Sequence, residues 1–222
     1  MAETTMLHIG HVAKTFNPGT ITEKKALVDV ELTLREGDFV TVIGGNGAGK
    51  STMLNAVAGV FPVDRGVIEI GGVDVTRLPE YKRAAYLGRV FQDPMMGTAA
   101  DMGLEENLAL ANRRGKSRGL RPGITSQERE LFRAQLAALG LGLENRLTSK
   151  VGLLSGGQRQ ALTLLMATLN QPKLLLLDEI TANLDAQTEE EVLQALKRAS
   201  EGRTVISISH RVNAETGRII TF

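Results

Sequence analysis

Residues 39–52 read Phe39-Val-Thr-Val-Ile-Gly44-Gly45-Asn46-Gly47-Ala48-Gly49-Lys50-Ser51-Thr52. The dense β-branched run predicts a buried strand, and the glycines after it predict a tight turn. Lys50 to Ala58 has helical character and stops at Gly59. Gly44, four residues, then Gly49-Lys50-Ser51 fits a phosphate-binding loop. Glycines let consecutive N–H groups turn toward one anion, and the following helix offers its positive end. In that arrangement Lys50 neutralises the β- and γ-phosphates, Ser51 ligates Mg²⁺ through its hydroxyl, and Thr52 donates to the α-phosphate. The alternative is an ordinary glycine-rich strand-to-helix turn. The strand before and the helix after are the context that the phosphate loop requires.

A magnesium site needs a second anchor, and Leu174-Leu-Leu-Leu-Asp178-Glu179 supplies one. Four apolar residues predict a buried strand whose C-terminal end carries two carboxylates. That end is where ligands collect in open parallel sheets. Asp178 is placed to hold Mg²⁺ through water, because this ion sheds its hydration shell reluctantly. Glu179, projecting to the other side of the strand, is placed to polarise an attacking water as general base.

Around these segments the first third reads as strands: Leu7 to Ala13, Val30 to Leu34 with period two, and Val67 to Ile70. From about Leu104 to Leu143 the pattern is helical, with Ser126, Glu130 and Leu131 to Leu139 suggesting a capped amphipathic helix. The last third returns to strand–helix alternation: Lys173 to Asp178, Ala186 to Ala199, Thr204 to Ser209, and a short strand near Ile219. Such alternation predicts an α/β fold with a parallel sheet. One domain over 1–222 is expected, with a core from 1–92 and 161–222 interrupted by a helical insertion over 93–160. The basic stretch Arg113 to Arg121 reads either as a solvated linker or as a contact for lipid headgroups or an acidic partner.

Composition bounds the function. The 222 residues suffice for one sizeable core or two small lobes. Lys and Arg number 26 against 25 Asp and Glu, a net charge of +1 that argues against gripping nucleic acid through a basic field. With no cysteine, thiol catalysis, disulfides and zinc–thiolate sites are excluded. Neither a secretion signal nor an apolar run of bilayer length is visible, so a cytosolic protein that meets membranes through a partner is expected.

Leu154-Ser155-Gly156-Gly157-Gln158 offers another helix N-terminus, with Ser155 as N-cap and two glycines exposing backbone N–H groups. With the phosphate loop and the Asp178-Glu179 pair, this segment makes the chain resemble the ATP-binding subunits of ABC transporters from Leu7 to Phe222. The resemblance implies a parallel-sheet core with an N-terminal antiparallel β subdomain and an inserted helical subdomain. It implies ATP and Mg²⁺ as cofactors, with Gln92 sensing the metal and the attacking water. His210 becomes the switch histidine on the γ-phosphate, Asp185 the acidic residue of the dimer-contact loop, and Phe16 a ring against adenine. Read without the family, Phe16 is a core residue at a strand end.

Two copies, or this chain and a paralogue, would sandwich ATP head to tail. Each Gly44–Ser51 loop would face the partner's Ser155–Gln158 segment. A transmembrane permease would be the partner, holding the chain at the cytoplasmic face of the membrane, with a solute-binding protein beyond it and no nucleic acid. Ala182-Asn183-Leu184-Asp185 departs from the family's Ser-Ala-Leu-Asp, and Ser209-His210-Arg211 resembles exporters. Leu78 to Arg83 and Val90 to Met95 resemble importers, including a branch linked to aromatic amino acids. Uptake of a small solute such as an amino acid is the expected function. The alternative is a soluble single-domain ATPase of an assembly system, such as iron–sulfur cluster assembly.

Overall fold

A computed structural model describes residues 4–116, 123–181, 186–209 and 217–222. The chain divides into two compact units, one comprising Met1–Arg89, Lys173–Glu179 and Gly202–Phe222, the other Val90–Pro172 and Ile180–Glu201.

The first unit holds two sheets. Strands β1 (Thr5–Phe16), β2 (Lys24–Arg35), β4 (Arg65–Ile70) and β5 (Val73–Asp74) form an antiparallel sheet in the order β2-β1-β4-β5. The other sheet has the order β6-β7-β8-β3-β9. Its members are β3 (Phe39–Ile43), β6 (Leu87–Val90), β7 (Leu174–Asp178), β8 (Thr204–Ile208) and β9 (Arg218–Thr221). The pairs β7–β8, β8–β3 and β3–β9 are parallel. Leu174 to Leu177 and all of β8 are buried, which is why these strands read as continuous apolar runs rather than alternating ones. Strands β1 and β2 extend well beyond residues 7–13 and 30–34. Their register slips between Ile9 and Val12 and again between Val12 and Lys14. Each slip changes the face that a side chain meets, so no single period-two pattern spans either strand.

Helix α1 (Lys50–Ala58) follows β3 and buries Met53, Leu54, Ala56, Val57 and Ala58. It ends on Gly59, whose left-handed φ of 83° returns its N–H to the carbonyls of Asn55 and Ala56. Beside that end lies Arg83, the last residue of the one-turn helix α2 (Glu80–Arg83) and only 1% exposed. Its guanidinium donates to Ala56 O at 2.7 Å and Val57 O at 2.9 Å on α1. It also donates to Leu78 O at 2.8 Å and Thr76 O at 2.9 Å. A side chain at position 59 would start 2.7 Å from its Nε.

The second unit is helical: α3 (Leu104–Asn112), α4 (Ser126–Ala137), α5 (Gly156–Thr168) and α6 (Ala186–Ser200). Its core gathers Leu104, Leu108, Phe132, Leu136, Leu143, Val151 and Leu162. The cap of α4 is Thr125, one residue before the expected Ser126. Its hydroxyl accepts from the Glu128 N–H at 3.2 Å, and the Glu128 carboxylate accepts from the Thr125 N–H at 2.9 Å. A capping box needs a spacing of three, which Thr125 and Glu128 have and Ser126 and Glu130 lack. Of the basic stretch, Arg113 pairs with Glu128 at 3.5 Å, and residues 117–122 lie outside the described residues. Among the described residues, no helix is long and apolar enough to cross a membrane.

Replacing Arg83 with Met removes four hydrogen bonds to backbone carbonyls, of which only Ala56 O keeps another donor, the Gly59 N–H. The loss should be roughly 3–5 kcal/mol, the sum of several charged hydrogen bonds at a buried site, and should appear as a lower urea midpoint.

Candidate functional site

The loop between β3 and α1 takes its shape from its glycines. Gly44, Gly47 and Gly49 have φ of 154°, 83° and 101°. Gly49 occupies the N-cap of α1, and a Cβ there would lie 2.6 Å from Ala26 O, so both its φ and its neighbour forbid a side chain. Lys50 is 5% exposed, and its ammonium donates to Gly44 O at 2.7 Å and Gly45 O at 3.0 Å. The loop therefore closes over its own cation. The first turn of α1 carries no acidic residue of its own to offset the positive end of the helix.

Sheet register brings the carboxylates here. Asp178 pairs with Ile208, which in turn pairs with Val42, two residues before Gly44. The Ser51 hydroxyl donates to the Asp178 carboxylate at 3.1 Å, joining the first turn of α1 to the end of β7. Burial pushes the Asp178 carboxyl above its ordinary range, opposed by the Ser51 hydrogen bond and the positive charges of Arg89 and Lys50.

Glu179 leaves the strand with a left-handed φ of 45° and donates its N–H to Ile208 O at 3.2 Å. Strict alternation sends Glu179 to the far side of β7. The left-handed turn instead places it in the same open depression as Lys24 and residues 46–52. A non-glycine residue held in that conformation costs about 1–3 kcal/mol, and such strain clusters at functional sites.

A hydroxyl and one carboxylate converge at the loop, and among the described residues no three His, Cys, Asp or Glu side chains form a metal cage. That sparse, all-oxygen set fits Mg²⁺, which keeps waters and binds through phosphates.

Phe16 is half-buried at the end of β1. Its ring stands edge-on to Phe61, with centroids 5.1 Å apart, and the Lys14 ammonium lies 5.6 Å from its centre. Cross-strand register sets Phe16 opposite Lys24. Sequence reading missed Lys24, because only strand pairing connects it with the loop.

In the second unit Ser155 is the N-cap of α5, as expected. Its hydroxyl accepts from the Gln158 N–H, and the Gln158 side chain accepts from the Ser155 N–H, both at 3.2 Å. Gly156 faces open space, whereas a Cβ on Gly157 would lie 2.4 Å from Thr188 Cγ2 on α6. Gln92 is exposed just beyond β6. Asp185 and His210 lie outside the described residues.

Comparison with known proteins matches residues 27–182 to the family described as ABC transporter. The chain is 39% identical over 214 residues to a tyrosine transport ATP-binding protein of Clostridioides difficile, covering 93% of this chain and 83% of that one. It is 31% identical to the lactococcin-A transport/processing ATP-binding protein LcnC of Lactococcus lactis, over 86% of this chain but 26% of that longer protein. Among solved structures, the ATP-binding cassette MJ0796, determined as a dimer in a post-hydrolysis state with ADP and Pi, superimposes with a TM-score of 0.82. That match has 32% identity and covers 98% of this chain and 94% of the other. The chain therefore belongs to the ABC transporter family, as one of its ATP-binding, ATP-hydrolysing cassettes.

Proposed function

We propose that this cassette powers uptake of a small solute, such as an amino acid, as the peripheral ATPase of a membrane permease at the cytoplasmic face. The observation that carries the site assignment is the convergence of the Lys50 loop, the Ser51–Asp178 pair and Glu179 at one depression. Lys50 turns from the Gly44 and Gly45 carbonyls to the β- and γ-phosphates, while N–H groups of residues 45–49 and Thr52 hold the remaining phosphate oxygens. Ser51 and Asp178 hold Mg²⁺, which when bound neutralises charge on the phosphates. Glu179 takes the proton of the attacking water. Gln92 and His210 monitor the metal, the water and the γ-phosphate, and Phe16 stacks on adenine.

Residues 93–160 act as a helical insertion in a core of 1–92 and 161–222. Across a head-to-tail dimer, the Ser155-Gly156-Gly157-Gln158 end of α5 meets the γ-phosphate in the other copy, with Asp185 at the dimer contact. The γ-phosphate is then a shared anion whose loss reopens the pair. Support for the dimer comes from MJ0796, and support for an amino-acid cargo from the tyrosine transport relative. The permease groove lies near Gln92, and a solute-binding protein would deliver cargo to the permease from outside.

Glu179→Gln should retain ATP in a closed dimer and lose roughly 10²–10⁴-fold in turnover, measured as phosphate release. Unchanged turnover removes Glu179 as the base. Asp178→Asn should unfold at a higher temperature than the parent protein in the absence of nucleotide. The folded-state carboxyl titrates above the unfolded one, so its contribution favours folding at low pH and is lost as pH rises. The advantage of the amide should accordingly appear at neutral pH and vanish below the carboxylate range.

The tagged Glu179→Gln chain, pulled down with ATP from detergent-solubilised membranes, should bring a stoichiometric multi-span protein together with a solute-binding protein. Recovery of soluble partners alone would favour the assembly ATPase.

A further inference from the structure

Helix α1 carries Ser51 and Asn55 one turn apart, a spacing that sets both side chains on one face. Ser51 reaches Asp178 at the end of β7. Asn55 accepts a hydrogen bond from the guanidinium of Arg89 on β6, the strand beside β7. Two adjacent strands are thus tied to successive turns of the helix that follows the phosphate loop. Arg89 is partly buried at a cost to its charge, which the Asp178 carboxylate eases first and Glu80 second. An apolar side chain would fill space between strand and helix without that cost. The cation is nevertheless retained one strand away from a carboxylate at the loop.

We propose that Arg89 is a positioning residue for the magnesium–nucleotide site: through Asn55 it fixes the rotation of α1 against β7, so that the Ser51 hydroxyl and the Asp178 carboxylate keep the spacing of a ligand pair. The inference rests on the assignment of Ser51 and Asp178 to Mg²⁺. Its physics is that of partners which orient metal ligands without touching the metal. The glycine loop has its own internal hold, the Lys50 ammonium on the carbonyls of Gly44 and Gly45.

The test is a titration of the full chain with a fluorescent N-methylanthraniloyl ATP, once in excess Mg²⁺ and once in EDTA. Arg89→Met, Asn55→Ala and the double variant are compared with the parent protein. Affinity in EDTA should stay within about twofold, because the phosphate loop is intact. The Mg²⁺-dependent gain in affinity should fall roughly tenfold, the low end of losses seen for such outer partners. The two single variants should lose similar amounts and the double variant no more than either, as expected for one connected tie. Arg89→Lys, which keeps a charge and one donor for Asn55, should recover part of the gain.

Equal losses in EDTA and in Mg²⁺ would mean a general packing role and overturn the proposal, as would an unaltered gain in Arg89→Met. A loss in Arg89→Met with Asn55→Ala unaffected would overturn the route through α1. If Arg89→Met fails to fold, Asn55→Ala decides the question alone. A parent protein that shows no Mg²⁺-dependent gain would refute the metal assignment itself, an outcome distinct from all of these.

Discussion

A helix that must hold its N-terminus open to an anion cannot stabilise itself at that end, and α1 carries this constraint for the whole site. Its first turn has no acidic side chain and its last turn no basic one. Gly49 leaves the N-terminus without a side-chain cap. The compensation comes from outside the helix, where Arg83 donates two hydrogen bonds to the carbonyls of Ala56 and Val57. A buried guanidinium at the C-terminal end both satisfies those carbonyls and complements the helix dipole. The same side chain holds Thr76 O and Leu78 O, so the segment that precedes β6 is locked to the end of α1. The rigid placement of Lys50 and Ser51 thus depends on residues far along the chain from the loop.

The two glycine-bearing helix starts are built differently. At α1 the positive end is created by leaving the cap to glycine and folding the loop around Lys50. At α5 the Ser155–Gln158 box closes the end on itself, using the Gln158 N–H. The N–H groups of Gly156 and Gly157 remain as the orphan donors of the first turn. Glycine also serves opposite ends at these two neighbouring positions. Position 156 opens to space, and position 157 admits the close approach of α6 at Thr188. One motif therefore supplies an open helix start and the packing that steadies it.

Much of the site was legible because its physics is local. Phe39 to Ile43, the glycines and Lys50 specify a strand, a turn and a helix from neighbouring residues alone, and α1 spans Lys50 to Ala58 as the sequence implies. Ser155 and Gln158, three apart before an apolar run, likewise mark a cap within one turn. Other features were illegible because they arise from pairing at a distance. Lys24 enters the depression only through its register with Phe16 across two bulged strands. Glu179 joins Asp178 in facing the loop because its backbone turns left-handed, which alternation along a strand does not anticipate. Arg83 resembles any arginine of a short surface helix until it is seen inserted beneath α1.

The sequence by itself determined the local pieces: a glycine-rich turn closing on a lysine at a helix start, a hydroxyl beside it, two adjacent carboxylates after an apolar strand, and a capped helix start of the ABC type. These are encoded within a few consecutive residues, where the geometry of the peptide chain leaves little choice. Only the tertiary structure decided how those pieces are held: Asp178 level with the loop through the Ile208 and Val42 register, and α1 fastened by Arg83 and Arg89. Those relations join residues separated by tens of positions or more. They exist only once the sheet has chosen its strand order and a buried cation has found the carbonyls and carboxylates that offset its desolvation.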